Sequence, residues 1–100
     1  MTIDEIKKQI AETLFKNGRK SWDFVSDKDN RRCFNYFSND FKTPFSGFND
    51  TEYYFISLMG FDEDYSIYFV NDYGECSVES LFEKDGQKLI DFLRTENYIK

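Results

Sequence analysis

Thr51 to Val70 reads TEYYFISLMGFDEDYSIYFV, and this stretch decides the fold. Two runs of aromatic and β-branched residues, Thr51 to Met59 and Tyr65 to Val70, stand on either side of Asp62-Glu63-Asp64. Such side chains suit a pleated surface, and the acidic interruption is long enough only for a turn. The stretch therefore predicts two antiparallel strands. The first is the most apolar run in the chain, which places it at the centre of a sheet.

The same pattern extends outward. Ser21 to Ser26 and Arg31 to Phe37 predict two further strands around a turn at Asp27-Lys28-Asp29-Asn30. A loop from Ser38 to Asp50 holds the only proline, Pro44, and Gly47. It also carries Phe41, Phe45 and Phe48, which either pin it to the core or form an apolar patch for a partner. After Asn71-Asp72-Tyr73-Gly74, a further turn, Glu75 to Leu81 reads either as a short fifth strand or as an irregular lead into a helix.

At the ends the period changes from 2 to 3.6. Ile3, Ile6, Ile10 and Leu14, widened by Ala11 and Phe15, predict an amphipathic helix over residues 2 to 17. Thr2 and Glu5 have capping-box spacing, and Gly18 beside Lys16, Arg19 and Lys20 suggests a left-handed stop. A second helix buries Leu89, Ile90 and Leu93 and ends near Asn97. Its preferred start is Asp85-Gly86, because a glycine inside a helix costs about 1 kcal/mol relative to alanine; the alternative is Ser80 to Glu83. The expected architecture is α+β, one domain over residues 1 to 100. It has an N-terminal helix, a four-stranded antiparallel sheet, five-stranded if Glu75 to Leu81 opens with a strand, and a C-terminal helix, with both helices on one face.

Composition limits the chemistry. Twelve Phe, seven Tyr and one Trp in 100 residues argue for a packed core and against disorder. The absence of histidine removes the commonest general base and the usual transition-metal ligand, and two cysteines 43 residues apart cannot complete a zinc site. Five scattered glycines form no phosphate loop. Asp62, Asp64 and Ser66 resemble the start of a calcium loop, but Ile67 and Tyr73 stand where glycine and glutamate are required. The expectation is a protein that is not an enzyme and uses neither metal nor cofactor. No apolar run approaches the ~20 residues of a membrane span, and the charged N-terminus with unpaired cysteines suits the cytoplasm.

Charge distribution carries the functional reading. The net charge is −6, yet residues 61 to 85 hold eight carboxylates against Lys84 alone. Asp62, Glu63, Asp64, Asp72, Glu75 and Glu79, interleaved with Tyr65 and Tyr73, are the candidate partner-binding residues. Carboxylates beside rigid amphipathic rings suit an electrostatically steered protein interface, and they can stand in for phosphates. The favoured function is a non-catalytic inhibitor, immunity protein or anti-defence factor of the kind mobile elements encode. It would block a basic partner, a nucleic-acid-handling enzyme or toxin, without touching nucleic acid or membrane. The alternative is a small-ligand or nucleotide-binding module built on Lys16, Arg19, Lys20, Lys28, Arg31 and Arg32 among Trp22, Phe24, Phe34 and Tyr36.

Overall fold

A computed structural model describes the backbone of residues 1 to 100 and every side chain except that of Phe48. Helix α1, Ile3–Asn17, buries Ile6, Ile10, Ala11 and Leu14, the stripe set by helical spacing. Thr2 caps it. Its Oγ1 accepts from the Glu5 amide at 3.2 Å and donates to Glu5 Oε1 at 3.2 Å, so the expected box closes through side chains on its second arm. Gly18 ends the helix in extended backbone, φ −75° and ψ 165°, and not in the expected left-handed turn. Glycine is needed there for a different reason: a Cβ would lie 2.5 Å from the Leu14 carbonyl oxygen and 3.1 Å from that of Phe37.

Five strands follow: β1 Arg19–Val25, β2 Arg32–Phe37, β3 Phe55–Phe61, β4 Asp64–Asn71 and β5 Gly74–Ser77. They pair antiparallel in chain order, with β3 at the centre. Strand β3 begins four residues later than its composition suggests, because the Tyr53 amide is spent on the loop and only from Tyr54 onward do the amides reach β4. The Tyr53 amide donates to the Phe45 carbonyl at 3.0 Å and the Tyr54 amide to that of Val70 at 2.9 Å. Part of the predicted lead into the second helix is the fifth strand. Asn71 forms the turn into it, accepting on Oδ1 from the Tyr73 and Gly74 amides at 2.8 and 3.0 Å.

Helix α2, Val78–Thr95, starts earlier than the preferred reading, capped by Ser77, whose Oγ accepts from the Ser80 amide at 3.2 Å. The earlier start is possible because the helix breaks at Asp85, φ −159° and ψ 84°. There the Asp85 carboxylate accepts from the Lys88 amide at 3.1 Å and caps a second helical segment. Gly86 thus sits in the first turn of that segment, where its poor helix propensity matters least.

Both helices cover one face of the sheet. Strand alternation sends Phe34, Tyr36, Ile56, Leu58, Ile67 and Phe69 into the core, against Ile6, Ile10, Leu14, Leu81, Leu89 and Leu93. Each such side chain contributes roughly 1.5–3 kcal/mol on burial. Loop residues Phe41 and Phe45 join this core: Phe41 lies 5.3 Å from the Phe92 ring, and Phe45 lies 5.9 Å from both Phe69 and Phe92. The question posed by Phe48 falls outside the described side chains. Among the described residues no helix is long and apolar enough to cross a membrane.

Candidate functional site

An antiparallel meander sends successive turns to opposite ends of the sheet, and this divides the acidic segment. Asp62, Glu63, Asp64 and Tyr65 occupy the β3–β4 hairpin, whereas Asp72 and Tyr73 form the β4–β5 turn. The two groups are separated by the length of β4, about 23 Å at the usual strand rise. Asp72 accepts a 2.6 Å hydrogen bond from the Tyr54 hydroxyl, which holds that phenol's pKa above its ordinary value. Glu75 is exposed on β5. Glu79 lies in the first turn of α2 and pairs with Lys7 of α1 at 3.5 Å.

Asp62 has work of its own. Its Oδ1 accepts from the Arg32 amide at 2.9 Å, its Oδ2 meets Arg31 Nε at 3.4 Å, and its amide donates to the Arg32 carbonyl at 2.8 Å. It also adopts φ 51°, which Asp tolerates better than most residues. These contacts tie the hairpin to the start of β2.

Beside the hairpin, α1 adds residues that the sequence did not single out. A groove of about 550 Å³ runs between α1 and the hairpin, lined by the acidic residues Asp4, Glu12, Glu63 and Asp64 and the aromatic residues Phe15 and Tyr65. Its cations are Lys7 and Lys8, and Lys7 is already engaged with Glu79. The rings accept cations from this chain: Lys7 Nζ stands 5.8 Å from the Tyr65 centroid and Arg32 Cζ 4.9 Å from that of Phe15. Burial, then the negative charges of Glu12 and Asp4, push the Tyr65 phenol up. The groove is therefore anionic as well as aromatic.

The arginines of the basic constellation are committed. Arg32 forms a double hydrogen bond to Asp23, Arg31 meets Asp62, and Arg19 lies 3.7 Å from Asp40 and bonds the Ser38 carbonyl at 2.9 Å. The aromatics beside them divide between the two faces: Phe34 and Tyr36 are buried under α1, while Trp22 and Phe24 lie on the opposite face.

That opposite face is the feature sequence reasoning missed. Cross-strand register puts Trp22, Asn35, Met59 and Ser66 in one row, and Phe24, Cys33, Phe61 and Asp64 in the next. Phe37, Phe55, Tyr68 and Val70 continue the same side. No helix covers it, and Trp22, Phe24, Met59 and Phe61 are 37, 55, 46 and 48 % exposed. On β2, between Trp22 and Met59, Asn35 is only 7 % exposed, and among the described residues its buried Oδ1 has no hydrogen-bond partner. Strand β3, apolar on both sides, was the available signal. No family model, curated protein or solved structure matches this chain.

Proposed function

We propose that the chain is a non-catalytic binding protein that takes a basic segment of a protein partner into the groove between α1 and the β3–β4 hairpin. Lysine or arginine side chains of the partner would meet Asp4, Glu12, Glu63 and Asp64 and lie against Tyr65 and Phe15. The observation that carries the reading is the joint presence, along one groove, of four acidic residues and two rings that already hold cations of this chain. Cation–π contact adds about 0.5–2 kcal/mol per site, and the carboxylates accelerate encounter with a basic surface.

A nucleic-acid-handling enzyme or a toxin presents such a surface, so an inhibitor, immunity or anti-defence role is the biological form of this proposal. The non-catalytic reading is supported by where the perturbed groups sit. The largest shifts belong to Asp23 and Arg32, which bond each other on the helix-covered side of β1 and β2 and touch the groove only where Arg32 stacks on Phe15; within the groove only the Tyr65 phenol is shifted, upward, away from neutral pH.

The test is capture from the native host with cross-linking to identify the partner. The wild-type chain is expected to retain a basic protein, and retention should weaken as salt rises. Glu63→Lys with Asp64→Lys should abolish capture, while Glu75→Lys, at the far end of the sheet, should not. Capture that survives the paired groove reversal refutes the proposal.

A further inference from the structure

We propose that the uncovered sheet face is a self-association surface, and that its occupant is the same face of a second copy of this chain. The two sheets would pack face to face around a two-fold axis near Asn35, leaving the groove of each copy outside the contact except at Asp64, a corner of the face that also borders the groove.

Area favours a full interface over a scattered surface patch. Side chains the size of Trp, Phe and Met bury about 200 Å² each, so Trp22, Phe24, Met59 and Phe61 at their observed exposures leave roughly 370 Å² of largely apolar surface open. Five strands spaced about 4.8 Å apart and about 20 Å long form a face of roughly 480 Å² in projection. Two such faces bury about 1,000 Å² before side-chain relief is counted, the lower bound for a specific interface.

Charge favours a second copy as the occupant. Of the residues in a chain that is 32 % charged, those brought to this face by the strands carry charge only at its corners, Arg19, Asp64 and Glu75, and Arg31 reaches over the Phe61 ring at one end. Depletion of charge from the centre of a patch marks interfaces that stay closed. A basic partner would find carboxylates only at the corners, Asp64 and Glu75, and none at the centre, whereas an identical face matches it in polarity.

Asn35 supplies the specific argument. A carboxamide contains both a donor and an acceptor, so two related by a two-fold axis can satisfy each other, Nδ2–H to Oδ1 in both directions. The orphaned Oδ1 lies in the row between Trp22 and Met59, at the centre of the apolar part of the face. An unpaired buried acceptor is costly, and a small movement of those flanking side chains on association would bring it a donor.

Sedimentation velocity on the intact chain, together with emission from its single tryptophan, tests the proposal. At about 100 μM the expected species has twice the 12.0 kDa chain mass, and dilution should convert it to monomer with a red shift of Trp22 emission. Met59→Lys and Phe24→Lys, at positions already half exposed, should each give a monomer with an unchanged far-ultraviolet spectrum. A wild-type chain that remains at 12.0 kDa at this concentration overturns the inference, as does a dimer that persists in both folded variants.

Discussion

Arg32 grips Asp23 with two near-parallel hydrogen bonds, Nε to Oδ1 at 2.9 Å and Nη2 to Oδ2 at 2.7 Å, across the β1–β2 pair. The Tyr36 hydroxyl donates to the same Oδ2 at 2.6 Å, and the guanidinium lies over the rings of Phe15 and Phe34. This cluster fixes the edge strand, most of which is otherwise exposed, to the second strand and to α1. Removing the carboxylate leaves a phenol and a guanidinium without their acceptor. Asp23→Ala should cost about 2 kcal/mol, given that bonds to charged groups contribute about 1.5–3 kcal/mol. The corresponding fall in thermal midpoint is about 8–16 °C for a domain of this size, measurable by circular dichroism.

The same cluster sets an acid limit. Hydrogen bonds from Arg32, then from Tyr36, hold the Asp23 carboxyl well below its ordinary range. Its folded pKa is thus depressed. The stabilisation is fully present above the unfolded value, about 3.9, and is lost as pH falls below it toward the folded pKa. Urea midpoints should stay level from pH 7 to about 5 and drop below about pH 4. Asp23→Asn, which cannot ionise, should show a shallower drop relative to its own value at pH 7. Equal slopes would mean that other carboxylates dominate.

Much of the architecture was legible because local signals agreed with one another. The Ile3, Ile6, Ile10, Leu14 stripe admits only a helix, and the Thr51 to Val70 pattern admits only a hairpin. The site was harder to read. The sequence presents Asp62 to Glu79 as one acidic block, but antiparallel pairing separates its turns by a strand length, and the groove recruits Asp4 and Glu12 from more than fifty residues away. The open face was visible only as apolar residues on both sides of β3, Phe55, Met59 and Phe61 on one and Ile56 and Leu58 on the other, which contradicts a strand covered on one side. Periodicity identifies a buried side; it cannot say whether the second side is covered by this chain or by another.

The break in α2 shows a different kind of limit, because a capped helical start and a glycine argued for two different boundaries and both operate. Asp85 caps the second segment, so Asp85→Ala should destabilise by about 1 kcal/mol. Gly86→Ala should act in the opposite sense. Its new Cβ would meet the Phe82 ring at 3.4 Å, an ordinary contact, and its backbone is not in the left-handed region. A gain of about 0.5 kcal/mol, or a rise of roughly 2–4 °C in thermal midpoint, is expected. A loss would show that the break needs glycine.

Asp62 separates the structural from the functional use of a hairpin carboxylate. It has φ 51° and accepts from the Arg32 amide at 2.9 Å, two demands that an asparagine also meets. Asp62→Asn should therefore change stability by less than about 0.5 kcal/mol, since its half-exposed ion pair with Arg31 is of the kind that contributes little. Asp62→Ala loses both the conformational tolerance and the acceptor, and should cost about 2 kcal/mol. Denaturant unfolding of the pair measures this difference. Partner capture should be unchanged in Asp62→Asn, because the groove's charge comes from Asp4, Glu12, Glu63 and Asp64. If the asparagine variant folds with full stability but no longer captures its partner, the binding surface extends beyond the groove onto the hairpin tip.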